Sequence, residues 1–122
     1  MAASIINRWA PPEARPTSPP EYEAVARLWR EHVSAPFPAR LNGADRAGFD
    51  MVMLDADPSG CVWTWLTHGG SLDERRHRTL LVNIDRLDQV LPCLDEADDP
   101  PYWRRLHQMS QLVADAMARS TE

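Results

Sequence analysis

Two strings of residues in this sequence have the side-chain types and spacing of metal ligands. One matches the first half of a calcium-binding loop, which has oxygen ligands and then a glycine: Asp55, Asp57, Ser59 and Gly60. Its last position is Leu66, where such a loop needs a bidentate glutamate. The other string holds Glu74 and His77, a pair used in di-iron bundles, but the chain has no second pair of this kind. We therefore expect no metal site.

Motifs for catalysis are absent as well. The sequence has no glycine-rich phosphate loop, no Gly-x-Ser-x-Gly turn, no His-Glu-x-x-His and no Cys-x-x-Cys, and its Ser, His and Asp residues show no spacing typical of a triad. We therefore favour a protein that is not an enzyme and carries no cofactor.

The remaining candidates for a site are binding side chains. Several arginines crowd the first turns of a predicted helix, where the helix dipole disfavours positive charge. Asp73 and Glu74 can compensate this charge locally. The arginines either form ion pairs with the acidic segments 95–99 or 21–31, or bind an anion or an acidic partner. Trp and His side chains are candidates for a binding patch or a pocket for a planar ligand, with packing in the core as the alternative. The predicted binding residues are Trp63, Trp65, Arg75, Arg76, His77, Trp103 and His107.

The composition limits the class of partner. The chain has 122 residues, 13 of them basic and 18 acidic, and a formal net charge of −5. Because phosphate contacts need clustered positive charge, this balance argues against a general binder of nucleic acid or of anionic membranes. It favours solubility and a basic partner. All the basic residues are arginine, which indicates a GC-rich, actinobacterial genome.

Nothing in the sequence resembles a transmembrane span or a signal peptide, since the N-terminus offers only Ile5 and Ile6 as consecutive aliphatic residues. Cys61 and Cys93 are too few and too far apart for a disulfide framework or a metal knuckle. Both features predict a cytoplasmic protein.

A helix is predicted over residues 71–91. Its apolar residues recur with a helical period: Leu80, Ile84, Leu87 and Leu91. Ser71 is the expected N-cap, in a capping box with Glu74. His77 shares the phase of the apolar stripe and is a candidate to meet His32 in the interior.

Two further helices are predicted with similar clarity. The first opens at Ser18 in a capping box with Glu21 and ends before Pro36; its expected buried face is Val25, Leu28, Trp29, His32 and Val33. The last follows Asp99-Pro100-Pro101, and its expected face includes Tyr102, Leu106, Met109 and Ala116. Phe37 and Leu41 are the expected anchors of the connector after the first helix.

Residues 49–66 allow two interpretations. In the first, strands FDMVML and CVWTWL flank the turn DADPSG. In the second the segment is helical. We favour two helical pieces that meet near Asp57, because Pro58 inside one helix costs about 3 kcal/mol, and because His68-Gly69 is typical of a helix C-terminus.

The predicted fold is all-α: a four- to five-helix antiparallel bundle. Residues 1–17 contain three prolines and no apolar period, so we expect a flexible, Pro-rich arm there, and a single helical domain over residues 18–119.

The strings LDAD, GCV, TWL, GGSLD, VLP and YWRRL, within residues 41–113, resemble small all-helical actinobacterial proteins that have no assigned function. The resemblance implies a helical fold and such a source, and it implies no activity.

The leading hypothesis is a non-enzymatic protein-interaction module, an accessory, regulatory or immunity-type helical protein. The alternative is a protein of a biosynthetic pathway that binds a small molecule or cofactor, or an enzyme, with a pocket lined by Trp and His. A homodimer is compatible with either hypothesis, and neither nucleic acid nor membrane is an expected partner.

Overall fold

The structure is a computed structural model and describes residues 10–120. Within that range the chain forms four α-helices: α1 (Tyr22–Ser34), α2 (Met51–Thr67), α3 (Glu74–Val90) and α4 (Pro100–Ser120). Two-residue strands, β1 (Asp45–Arg46) and β2 (Phe49–Asp50), form an antiparallel hairpin, and short 3-10 turns occupy Ala39–Leu41, Leu91–Cys93 and Glu96–Asp98. The all-α bundle predicted from the sequence is confirmed.

Neighbouring helices run antiparallel, because residues near the start of one helix bond to residues near the end of the next. One contact for each neighbouring pair shows this: Tyr22 with the Leu66 carbonyl, Cys61 with the Arg76 carbonyl, Asp88 with His107, and Arg119 with Glu21. The chain is therefore an up-and-down four-helix bundle.

The core lies on the apolar faces that the helical period predicts. In α3, Leu80, Ile84 and Leu87 are buried. The buried residues of the other two predicted faces are Val25, Leu28, Trp29 and His32 in α1, and Tyr102, Leu106, Met109 and Ala116 in α4. Leu41 is also buried, and the half-buried Phe37 packs against the core, so both anchors of the connector are confirmed.

Both predicted capping boxes are wrong. α1 begins without a side-chain cap, because the Ser18 hydroxyl already accepts a hydrogen bond from the Arg15 amide in the preceding turn. In α3 the N-cap is Asp73, which accepts from the Arg76 amide, while the Ser71 hydroxyl donates to the His68 carbonyl.

The predicted break near Asp57 is also wrong, because α2 continues through Pro58. The helix starts at the Asp50 cap, whose carboxylate accepts from the Met53 amide at 3.0 Å. Pro58 is buried, so the missing hydrogen bond is offset by packing of α2 against the other helices.

The strand alternative for residues 49–66 is wrong as well, since the hairpin of this chain lies earlier. Its two-residue turn is Ala47-Gly48, and both residues have positive φ, 53° and 84°, as a type I′ turn requires. The predicted end of the helix at His68-Gly69 is confirmed. Gly69 has φ of 70°, and the Gly70 amide donates to the Trp65 carbonyl at 2.8 Å, which is a Schellman motif.

Part of the predicted N-terminal arm, residues 1–9, lies outside the described residues. In the described part, the Tyr22 hydroxyl donates to the Pro12 carbonyl at 2.6 Å, and Pro11 is buried. None of the helices in residues 10–120 has the length and apolar composition to cross a membrane.

Candidate functional site

The predicted tryptophans do not line one pocket. Trp65 and Trp103 are fully buried in the core, where Trp65 packs against Tyr22 and the Trp103 indole N–H donates to the Asp98 carbonyl at 3.1 Å. Trp63 is half-buried and stacks on Trp29, with 5.3 Å between the ring centroids. For Trp65 and Trp103 the structure therefore shows the packing role that was the alternative to binding.

The predicted histidines are separated as well. His107 lies at the surface between α3 and α4, with Nε2 2.7 Å from an Asp88 carboxylate oxygen. His77 is half-buried on α3. His32 faces Asp55 of α2, at 2.8 Å, and does not meet His77 in the interior as the sequence suggested.

Two of the crowded arginines form local ion pairs. Arg76 lies 2.9 Å from Asp73, and Arg78 lies 3.2 Å from Glu74. All four side chains are exposed, so the pairs contribute little to stability, but they offset the unfavourable interaction of positive charge with the helix dipole. The expected local compensation by Asp73 and Glu74 is confirmed, whereas the expected ion pairs of these arginines with segments 95–99 or 21–31 do not form within the described residues.

Arg75 instead lines an open groove of about 450 Å³ between α2 and α3. We name this the arginine groove; its lining residues are Asp57, Arg75, Arg78, Thr79, Val82, Asn83 and Arg86. Six of the seven come from α3, at a spacing that places them on one face of that helix. Asp57 is the contribution of α2.

The arginine groove is electropositive on a chain of net charge −5. Three guanidinium groups and one carboxylate line it. Arg86 lies over the Phe49 ring, 5.4 Å from its centroid, which fixes this arginine at one end. The Arg75 side chain makes no hydrogen bond or ion pair within residues 10–120, so its charge is available to a ligand.

Asn83 gives the arginine groove a buried acceptor. The side chain is 2% exposed, and its amide N–H donates to the Thr79 carbonyl at 2.9 Å. Its Oδ1 has no hydrogen-bond partner in the described part of the chain. Buried acceptors in native proteins are usually paired, so a donor from a bound partner would complete this group.

Large exposed apolar side chains are confined to the same two helices. Within the described residues they are Val52 and Met53 of α2, exposed by 38% and 53%, and Leu81 and Val82 of α3, exposed by 47% and 49%. Of these four, Val82 lines the arginine groove. We name the arginine groove, with Val82 as its exposed apolar side chain, the α2–α3 face.

A Ser, a His and an Asp side chain come together in the structure, but they do not have the geometry of a catalytic triad. The Ser59 hydroxyl and an Asp55 oxygen both lie on the Nε2 side of His32, at 3.4 and 2.8 Å, whereas a triad uses both ring nitrogens. The His32 Nδ1 has no partner among residues 10–120. In the same range no group of three or more His, Cys, Asp or Glu side chains could hold a metal ion.

Periodicity alone could have extended the predicted site along α3. Arg75, Arg78, Val82 and Arg86 follow a helical spacing that is visible in the sequence. Asp57 could not have been added this way, because its place beside α3 depends on how α2 packs.

Comparison of the chain with protein-family models, with curated proteins and with solved structures finds no match.

Proposed function

We propose that this protein is a non-enzymatic interaction module that binds another protein through the α2–α3 face. The observation that carries the proposal is the arginine groove itself, where Arg75, Arg78 and Arg86 line the same surface as Val82, which is 49% exposed. Many protein interfaces have apolar side chains at the centre and arginine around them.

The chemistry of the α2–α3 face favours an acidic, amphipathic segment as the partner. Carboxylates of the partner would pair with Arg75, Arg78 and Arg86, and its apolar residues would cover Val82. This differs from the basic partner that the net charge alone favours, because the local charge of the face is opposite to that of the whole chain.

The proposed place of action is a reducing compartment such as the cytoplasm. Cys61 and Cys93 are both free thiols. Burial raises the pKa of the Cys61 thiol, which keeps it protonated and unreactive.

A photo-crosslinking side chain tests where the partner binds. It is introduced at Val82 on the α2–α3 face and, as the control, at the exposed Gln108 on α4, with expression of the full chain in the source organism. We expect a crosslinked partner from position 82 only, and its loss when Arg75 and Arg78 are changed to glutamate. Equal crosslinking from both positions would contradict the proposal.

A designed peptide tests the chemistry of recognition. The probe is an amphipathic helix with leucine on one face and glutamate elsewhere, and its affinity is measured by fluorescence anisotropy. We expect Arg78→Glu to weaken binding roughly tenfold, because a contacting charge is reversed. Arg104→Glu, an exposed residue of α4, changes the net charge by the same amount and should have little effect. Equal losses in both variants would show attraction to overall charge and not to the α2–α3 face.

A second copy of this chain is the competing occupant of the α2–α3 face. Sedimentation equilibrium of the full chain distinguishes the two. A monomer supports a different protein as the partner, whereas a dimer that Val82→Asp dissociates would show that the face binds itself.

A further inference from the structure

A second cavity, of about 380 Å³, lies where α1, α2 and α4 meet. We name it the aromatic cavity; its lining residues are Trp29, His32, Val33, Ala35, Phe37, Asp55, Ser59 and Tyr102. Its volume is within the range of small-molecule sites, and apolar walls with a few converging polar groups are their usual composition. It shares no lining residue with the arginine groove.

Asp55 is the one carboxylate that lines the aromatic cavity, and its side chain is 20% exposed. Its carboxylate is held in place by the hydroxyls of Tyr102 and Ser59, which donate to it at 2.9 and 3.3 Å, and by His32 Nε2 at 2.8 Å. Burial, together with the charge of Asp55, raises the pKa of the Tyr102 hydroxyl, so this group remains a donor. No arginine lines the cavity, so the Asp55 carboxylate there has no guanidinium partner.

The walls of the aromatic cavity are suited to a cation. The rings of Phe37 and Tyr102 stand at 84° to each other with centroids 6.0 Å apart, so they form a corner and not a flat surface. Trp29 adds a third aromatic wall. Aromatic faces attract ammonium groups through the negative charge above the ring. Tyr102 already takes part in such a contact inside the protein, with the Arg105 guanidinium 5.6 Å from its centroid.

His32 lines the same cavity and has an unpaired ring nitrogen. The residue is 5% exposed, and its Nδ1 is buried with no hydrogen-bond partner within the described residues. When Nε2–H donates to Asp55, Nδ1 carries a lone pair, which the fold leaves unsatisfied.

We propose that the aromatic cavity binds a small organic cation, a protonated amine on an apolar or aromatic body, with the ammonium group against Asp55. An anion would meet the Asp55 carboxylate without a compensating positive charge. A neutral ligand would form no ion pair with that carboxylate. The proposal keeps the small-molecule alternative of the sequence but moves it to different residues, and it does not depend on the α2–α3 face.

Three probes of similar shape and different charge test the proposal: 2-phenylethylammonium, 2-phenylethanol and phenylacetate. Binding to the full chain is followed by NMR through the Trp29 indole and Ser59 amide signals. The pH is neutral, where the amine probe is protonated and phenylacetate is ionised. We expect saturable binding of the cation, at least roughly tenfold weaker binding of the alcohol, and none of the carboxylate.

Two variants assign the binding to this cavity. Asp55→Asn should reduce the affinity for the cation to that for the alcohol, whereas Asp57→Asn, two residues further along α2 and in the arginine groove, should leave it unchanged. Asp55→Asn also changes three hydrogen bonds, so a second variant is needed that leaves them in place. Phe37→Leu is this variant, because Phe37 is a half-buried residue of the connector. It removes an aromatic wall and should weaken binding of the cation several-fold but barely affect the alcohol.

The proposal is overturned if none of the probes shifts these signals at millimolar concentration, or if the alcohol or the carboxylate binds as tightly as the amine. It is overturned too if neither Asp55→Asn nor Phe37→Leu changes the affinity for the amine.

Discussion

At the scale of single residues, Asp98 shows how a buried charge can hold two parts of the chain together. Its side chain is fully buried, and Arg46 of the hairpin donates to both carboxylate oxygens, at 2.9 and 3.1 Å. The Asp95 amide donates to the same carboxylate at 3.2 Å. The hairpin is thereby joined to the turn that precedes α4.

Because of this arrangement, the stability of the protein should fall at acidic pH. The Arg46 guanidinium holds the pKa of the Asp98 carboxyl below its ordinary value. Because the folded pKa is depressed, the stabilisation is complete above the unfolded pKa of about 4 and is lost as pH falls through the folded pKa. We expect the urea midpoint of wild type to fall more steeply below about pH 5 than that of Asp98→Asn. The difference in slope should correspond to the uptake of up to roughly one additional proton when wild type unfolds.

Asp45→Asn is the matched control for this measurement, because Asp45 is an exposed carboxylate of the same hairpin. Its urea midpoint should follow the pH dependence of wild type. Parallel curves for wild type and Asp98→Asn would show that the Asp98 carboxylate does not contribute to the loss of stability in acid.

At the scale of elements, α2 is the helix whose boundaries differ most from the prediction. The interruption expected near Asp57 would need Asp57 as an N-cap, and the structure instead places the cap at Asp50 and buries Pro58 inside the helix. The helix is held by tertiary packing, which can outweigh the local cost of a proline. The continuity of α2 matters for both proposed sites, because Asp55 and Asp57 face the aromatic cavity and the arginine groove from one rigid segment.

Two alanine substitutions distinguish one helix from two. Asp50→Ala should lower the free energy of unfolding by about 1 kcal/mol, since the Met53 amide loses its capping partner. Asp57→Ala should change it by less than about half of that, as for a surface position without a cap. Urea unfolding of both variants makes the comparison, and the opposite order of effects would support a helix that begins anew at Pro58.

At the scale of the whole molecule, the segment before α1 is packed on the turn that joins α2 and α3. A Cβ atom added at Gly70 would lie 2.3 Å from the ring of Pro19, and Gly70 has φ of 101°. At the neighbouring Gly69, φ is also positive, at 70°, but the nearest atom to an added Cβ is an arginine nitrogen at 3.9 Å. The two glycines thus differ mainly in a contact between residues distant in sequence.

That difference predicts unequal costs for two alanine substitutions. Gly69→Ala should destabilise the protein by about 1 kcal/mol through the left-handed backbone alone. Gly70→Ala adds a collision with Pro19 and should cost about 3 kcal/mol. Thermal unfolding of the two variants checks this order, and similar midpoints would mean that Pro19 does not hold its place against the turn.

The charge of the whole molecule also differs from that of its surface regions. The chain has a net charge of −5, yet the arginine groove is positive and the aromatic cavity is lined by a lone carboxylate. A composition therefore predicts solubility but not the sign of a partner, because binding responds to the charges within about one Debye length of the contact.

The sequence by itself determined the helical class, three of the four apolar faces and the glycine end of α2. These features depend on residues three or four positions apart, such as Leu80, Ile84 and Leu87, whose relation is set by the helical period. The actinobacterial resemblance and the interaction hypothesis stay predictions.

Only the tertiary structure decided which side chains meet. It buried Trp65 and Trp103 in the core, carried α2 through Pro58, and brought His32 to Asp55. The physical reason is the same in each case: burial energy and hydrogen bonds between residues far apart in the chain outweigh local preferences, and local spacing does not encode them. Both proposed sites depend on contacts between different helices, so neither could be located without knowing how the helices pack.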